Sequence, residues 1–134
     1  MSDERPRFGT LGFYEAMAAA LNVDPEWAEK GKLISCSMIY NYGPPVDRVF
    51  FLNFDEGQVT EVAEVGSPEE RPADFRISGT GDAWKSVLRS EVKPATAMAM
   101  GKLKVKGKQT FLLKNMSAFS HILDVMTRLD PIYD

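Results

Sequence analysis

Residues 33–65 read LISCSMIYNYGPPVDRVFFLNFDEGQVTEVAEV, and their periodicity decides the fold. From Leu33 to Tyr42 one parity holds Ile34, Cys36, Met38, Tyr40 and Tyr42, while the other holds Ser35, Ser37 and Asn41. A period of two sends alternate side chains to opposite faces of a strand, so this segment is predicted as a half-buried strand with a large, soft inward face. Gly43-Pro44-Pro45 breaks it, and a second strand is predicted over Val46–Phe54 with Phe50, Leu52 and Phe54 on one side. Asp55-Glu56-Gly57 is a hairpin signal. It pairs a third strand, Val59–Val65, antiparallel to the second and makes the segment a meander.

Toward the C-terminus, Gly66-Ser67-Pro68 and Arg71-Pro72 form a connection, after which Ala73, Phe75 and Ile77 alternate with Asp74 and Arg76 as a fourth strand. Ser78-Gly79-Thr80-Gly81-Asp82 turns that strand into a helix burying Trp84, Val87 and Leu88. Lys93-Pro94 opens another helix, Ala95–Met100, stopped by Gly101, and Leu103–Val105 is a short fifth strand closed by Gly107. From Phe111 to Leu129, apolar residues at Leu112, Met116, Phe119, Ile122, Leu123, Met126 and Leu129 predict a single amphipathic helix. Toward the N-terminus, Leu11, Phe13, Tyr14, Met17, Ala18 and Leu21 have helical spacing behind Thr10 as N-cap. Asp24-Pro25-Glu26 starts a short second turn whose Trp27 is expected to anchor it to the sheet. Helices gather at the ends and at one interior crossover, so the class is α+β rather than alternating βαβ.

The 134 residues suit one domain, with 1–30 as an N-terminal helical segment and 31–134 as the core. No window approaches a membrane span, and the charged start (Asp3, Glu4, Arg5, Arg7) precedes no signal-like apolar stretch, which predicts a soluble, cytoplasmic protein. Cys36 has no partner for an internal disulfide, and with His121 as the single histidine there are too few soft ligands for structural zinc. No cofactor is predicted. A net charge of −3 argues against a nucleic-acid binder.

The charge is nevertheless segregated. Asp55 to Asp74 carries seven acids against one base, and Lys85 to Lys114 carries eight bases against one acid. Two readings stand side by side: a basic side that attracts anionic headgroups or acidic partners, or solvated faces of ordinary elements. Lys102, Lys104 and Lys106 alternate with Leu103 and Val105, as one half-exposed strand requires.

Catalytic constellations are weak. Ser117, His121 and Asp124 lie four and three residues apart on one helix, which sets them side by side on a polar stripe with no turn presenting the serine. Gly79-Thr80-Gly81 opens like a dinucleotide fingerprint, yet Trp84 occupies the third glycine position, where a helix must approach a strand closely. The seven methionines fit either an adaptable binding surface or a core with flexible gap-fillers.

Phe75-Arg76-Ile77-Ser78-Gly79, then Asp82-Ala83-Trp84-Lys85-Ser86-Val87-Leu88, then Pro94, Ala97, Met98 and Gly101-Lys102-Leu103-Lys104-Val105-Lys106-Gly107, ending in a Met-rich helix, resembles the sterol-carrier-protein type-2 lipid-transfer family. The strand pattern from about Leu33 onward fits the same family, while residues 1–30 match weakly. The resemblance implies a five-stranded mixed, mainly antiparallel sheet with helices on one face and an apolar tunnel between them. The implied function is non-enzymatic binding or transfer of a fatty acyl, acyl-CoA, sterol-like or phospholipid ligand. The chain ends in Ile132-Tyr133-Asp134 rather than a peroxisomal address, which predicts a stand-alone prokaryotic type.

An apolar site of this kind needs no polar signature. Burying a 16-carbon tail at about 0.8 kcal/mol per methylene yields on the order of 12 kcal/mol, against association costs of roughly 4–15 kcal/mol. The predicted wall is Met38, Tyr40, Phe50, Phe75 and Ile77 from the sheet, with Trp84, Met98, Met100, Met116, Phe119, Ile122 and Met126 from the helices. Transient contact with an anionic membrane is expected from the lysines, and the oligomeric state stays open between monomer and homodimer. The alternative readings are a ligand-free interaction or dimerisation module, and a small hydrolase using the last helix. The non-enzymatic reading predicts that Ser117→Ala and His121→Ala leave ester and thioester hydrolysis at the wild-type background. Loss of a measurable turnover in either variant, followed with a chromogenic acyl ester, overturns it.

Overall fold

The structure is a computed structural model that describes residues 5–133; Asp3, Glu4 and the rest of residues 1–4, and the terminal Asp134, lie outside the described residues. Strand β1 (Cys36–Tyr42) is the centre of a five-stranded sheet of order β3-β2-β1-β4-β5. β2 (Arg48–Asp55) pairs antiparallel with it, and β3 (Gln58–Val65) pairs antiparallel with β2. β4 (Phe75–Gly79) runs parallel to β1, with Met38 opposite Phe75 and Tyr40 opposite Ile77. β5 (Lys104–Lys106) closes the other edge antiparallel to β4. The hairpin between β2 and β3 turns on Glu56 and Gly57 alone, both at positive φ (49° and 85°), the backbone that a two-residue turn needs to follow strand twist.

Six helices accompany the strands: α1 (Leu11–Val23), α2 (Pro25–Lys30), α3 (Gly81–Leu88), α4 (Pro94–Ala99), α5 (Gln109–Lys114) and α6 (Met116–Arg128). Two begin at the N-caps the sequence predicts, and a third, α3, is capped by Thr80 within the predicted Ser78–Asp82 turn. Thr10 Oγ1 accepts from the Phe13 N–H, Asp24 Oδ1 accepts from the Glu26 N–H with Pro25 in the first turn, and Thr80 Oγ1 accepts from the Ala83 N–H. Trp27 does anchor α2 to the sheet, since its indole N–H donates to the Gly57 carbonyl at 2.7 Å and its ring meets Phe54 edge-on.

The predicted helix over Phe111–Leu129 is two helices, α5 and α6. The break falls at Asn115 (φ −118°, ψ 25°), whose amide donates to the Phe111 carbonyl at 3.0 Å. A short polar side chain that bonds its own preceding turn competes with continued helix. β2 also starts two residues later than predicted, because Val46 and Asp47 turn back to hydrogen-bond the Gly43 carbonyl. In β3, Thr60 is the extra residue of a bulge, so Val59 and Val62 both face the helices although three residues apart.

All helices lie on one face of the sheet, and the inward parity of β1 and β2 is the core. Phe13, Tyr14, Met17, Met38, Tyr40, Tyr42, Phe50, Leu52 and Trp84 are fully buried there. Their rings interlock: Tyr14 stacks on Phe50 at 4.7 Å and Tyr42 on Trp84 at 4.7 Å. On the outer face Ile39, Val49, Phe51 and Val65 form a small buried cluster, with Ala73 packed against it. The Arg71 guanidinium sits 3.8 Å from the Phe51 ring centroid while its fork grips Glu61. Backbone hydrogen bonds tie the two ends of the chain together, the Phe8 N–H donating to Ile132 and the Ile132 N–H to Pro6.

The Tyr14 and Tyr42 hydroxyls, one from α1 and one from β1, share a buried hydrogen bond at 2.7 Å. Removing one partner strands the other without water. Tyr42→Phe is therefore expected to cost about 1–3 kcal/mol in a urea titration. The Tyr14→Phe/Tyr42→Phe double variant is expected to recover part of that cost, and strict additivity of the two single changes would show that the bond contributes nothing.

Candidate functional site

The interior is not uniformly filled. Where the sheet thins to β4 and the short β5, a cleft of about 320 Å³ opens between these strands and α4, α5 and α6. This is at the small end of the roughly 300–1,000 Å³ seen for ligand pockets. Ile77 and Val105 supply the sheet side, joined by Leu103 just before β5, while Met98 and Gly101 come from the end of α4. Leu112 and Leu113 of α5 and Met116, Phe119 and Leu123 of α6 supply the helix side. Lys104 and Gln109 are the polar residues of the lining. Leu113 is 72% exposed and Met116 37% exposed, which keeps large apolar groups at the surface beside the opening.

Four of the predicted wall residues, Ile77, Met98, Met116 and Phe119, line this cleft. Phe75 stands behind it, edge-on to Phe119 at 5.3 Å and stacked on Phe111 at 5.4 Å. Met38, Tyr40, Phe50, Trp84, Ile122 and Met126 are placed elsewhere, in the solid core. There the space between sheet and helices is occupied by their own rings and thioethers, so the free volume is an open-mouthed cleft at one side of the interface. Met100 is 63% exposed and outside the lining, because α4 ends at Ala99 and the chain turns at Gly101. Leu103, Val105, Leu112, Leu113 and Leu123 were missed as wall residues. Leu103 and Val105 were legible as the inward parity of the fifth strand, and Leu112 and Leu123 as its facing helix stripe.

The polar candidates are scattered by the same packing. Ser117 and Asp124 are exposed, but His121 is 2% exposed and is not part of a solvated stripe, which corrects the sequence reading. Its Nε2 lies 2.7 Å from Asp24 Oδ2, its Nδ1 lies 3.4 Å from Glu26, and its ring stacks parallel to Trp27. It ties α6 to α2, on the opposite flank of α6 from the cleft residues Phe119 and Leu123. Burial, reinforced by the Asp74 charge, pushes the Cys36 thiol up to about 12, so it is no nucleophile at neutral pH. Among the described residues there is no cluster of His, Cys, Asp and Glu that could hold a metal ion, and no helix is long and apolar enough to cross a membrane.

The fold is a small α+β domain with an apolar cleft at one side of its sheet–helix interface. The sequence model of the SCP-2 sterol transfer family matches residues 42–120, more than half of the chain. The chain belongs to this family, whose members have a general role in sterol or lipid binding and transfer and are mainly non-enzymatic carriers, although the domain also occurs within enzymes. No curated protein matches the chain. Among solved structures, it is similar to a crystal structure of sterol carrier protein 2, with 20% identity, a TM-score of 0.80, and 90% of this chain and 98% of that one covered. It is likewise similar to the solution structure of a conserved hypothetical protein from Thermus thermophilus, at 21% identity and TM-score 0.78, covering 96% and 92%. A third is the palmitated SCP2L2 of Aedes aegypti, at 12% identity and TM-score 0.59, covering 83% and 90%. At these identities the three structures speak for the fold.

The His121 hydrogen bond, followed by the Glu26 backbone N–H, holds the Asp24 carboxyl below its ordinary value of 3.8. A carboxyl whose folded value is depressed contributes stability above its unfolded value and loses it as pH falls through the folded one. Asp24→Asn keeps a helix cap but removes the charge. It is expected to lower stability by about 1–3 kcal/mol at pH 5, with the gap to wild type closing below about pH 3.8 in thermal melts. A gap that persists unchanged to pH 2 would exclude the Asp24–His121 bond as its source.

Proposed function

We propose that the chain is a non-enzymatic, cytoplasmic lipid carrier that holds the apolar part of a fatty acyl, acyl-CoA or sterol-like ligand in the cleft between β4–β5 and α4–α6. The observation that carries this reading is an unfilled apolar volume with large apolar residues left exposed at its opening. Leaving Leu113 and Met116 in water costs free energy that a bound tail would recover. The separation of Ser117, His121 and Asp124 supports carriage over hydrolysis, since the one candidate base is engaged by Asp24. The palmitate named for the Aedes protein supports an acyl chain as one ligand. Lys102, Lys104 and Lys106, all exposed, suit brief contact with an anionic membrane during loading, an attraction that salt would screen.

A fluorescent fatty acid displaced by palmitate tests the reading. Wild type should bind it at micromolar strength, and Phe119→Trp, which pushes bulk into the cleft, should weaken binding by about tenfold or more at a stability cost of roughly 1–3 kcal/mol. A folded Phe119→Trp protein with unchanged affinity for every lipid tried would remove the cleft as the site.

A further inference from the structure

Three rings stand behind the apolar cleft. Phe75 stacks on Phe111 at 5.4 Å, Phe119 meets Phe75 edge-on at 5.3 Å, and the Phe111 and Phe119 centroids are 6.2 Å apart, so each ring packs against the other two. Phe119 is a wall of the cleft, whereas Phe75 and Phe111 are walls of a second, smaller cavity of about 180 Å³ beside Cys36. The cluster is therefore the partition between the two.

Both cavities use the same sheet face and the same helix. Ile77 and Phe75 are two residues apart on the inner face of β4, the first lining the cleft and the second the small cavity. α5 repeats the division: Gln109, Leu112 and Leu113 line the cleft, while Phe111 and the N-cap Lys108 line the small cavity. Leu113 and Met116 are exposed at the opening and Phe119 is 6% exposed, so a tail entering from solvent comes to rest against Phe119. The three rings are not held equally. Phe75 is buried, and Gly107 lies so close that a Cβ there would overlap its ring. Phe119 belongs to α6, which His121 ties to α2. Phe111 is half-buried on a helix of six residues whose N-cap makes no side-chain hydrogen bond. It is the one ring of the three that can be removed without touching the sheet or α6.

We propose that Phe111 is the length-determining residue of the carrier: it keeps the three-ring partition shut, so that a bound hydrocarbon tail ends at Phe119 and a longer tail gains nothing from its last methylenes. The small cavity has more than half the volume of the cleft, and without the Phe111 ring it becomes room for the end of the tail. The inference rests on the carrier reading above and adds to it the feature that selects tail length.

Saturated fatty acids from octanoate to stearate, each below its aggregation concentration, test it by displacement of one fluorescent probe from wild type, Phe111→Ala, Phe111→Leu and Phe111→Trp. Each methylene that becomes buried tightens binding about fourfold, so wild-type affinity is expected to climb along the series and level off before stearate. In Phe111→Ala the levelling point should move to a longer acid, with stearate bound about tenfold or more tighter than by wild type and octanoate unchanged. Phe111→Leu should fall between the two, and it carries the same test if Phe111→Ala does not fold. Phe111→Trp keeps a ring in the partition and should keep the wild-type profile. A stearate with a diazirine at its tail end should cross-link to the peptide holding Ser35 and Cys36 in Phe111→Ala but not in wild type. Wild-type affinity that climbs without levelling, or a levelling point that neither Phe111→Ala nor Phe111→Leu moves, overturns the stop and leaves the carrier reading standing. Tighter stearate binding with no cross-link near Cys36 also overturns it, because the tail then lies elsewhere. If wild type binds no fatty acid, the carrier reading falls and the stop with it.

Discussion

β1 is hydrogen-bonded on both sides, and its alternation governs the rest of the molecule. It is antiparallel to β2 along one edge and parallel to β4 along the other, so Met38, Tyr40 and Tyr42 set which residues of both neighbours face the helices. A slip of one residue would turn those side chains to the outer face and bring Ile39 and Asn41 inward. The outer face offers only a small apolar patch under the Arg71 guanidinium, which cannot shelter three aromatic-sized side chains. Register is therefore strongly specified, and with it the side on which every helix must pack.

The location of the cleft follows from how bulk is distributed over that inner face. Over β1 and β2 the face carries Tyr40, Tyr42, Phe50 and Phe54, and α1 and α3 answer with Tyr14, Phe13 and Trp84, leaving no volume. Over β4 and β5 the one large ring is Phe75, already covered by Phe111 and Phe119, beyond which the face carries Ile77 and Val105, and β5 is only three residues long. The helices there are short too, α4 and α5 having six residues each. Small side chains and short elements leave a void that the surrounding packing does not close.

α6 connects the cleft to the remainder of the fold, because it touches each of the other five helices. One flank presents Phe119 and Leu123 to the cleft, while His121 on another is held by Asp24 and Trp27. The helix is thus pinned from outside the cleft, on the flank away from Phe119 and Leu123. The lysines take the opposite parity of β5 from Val105 and are exposed, and of them Lys104 reaches the rim of the cleft.

The sequence by itself determined what depends on neighbours along the chain. Period-two alternation located β1, β2 and β4, Glu56-Gly57 located the hairpin, and Thr10 and Asp24 located two helix starts, because each rests on hydrogen bonds or side-chain directions within a few residues. The parity of Leu103 and Val105 against Lys102 and Lys104 was legible for the same reason. Only the tertiary structure decided which apolar residues border empty space. Tyr40, Trp84 and Met126 read no differently from Ile77, Met98 and Phe119 along the chain, yet the first three are enclosed in the core and the last three face the cleft. Likewise, His121 meets Asp24 across 97 residues, and no local spacing encodes that contact. Hollow and filled interiors share one hydrophobic pattern, since periodicity records the direction of a side chain and the volume left around it is set by what packs from the other side.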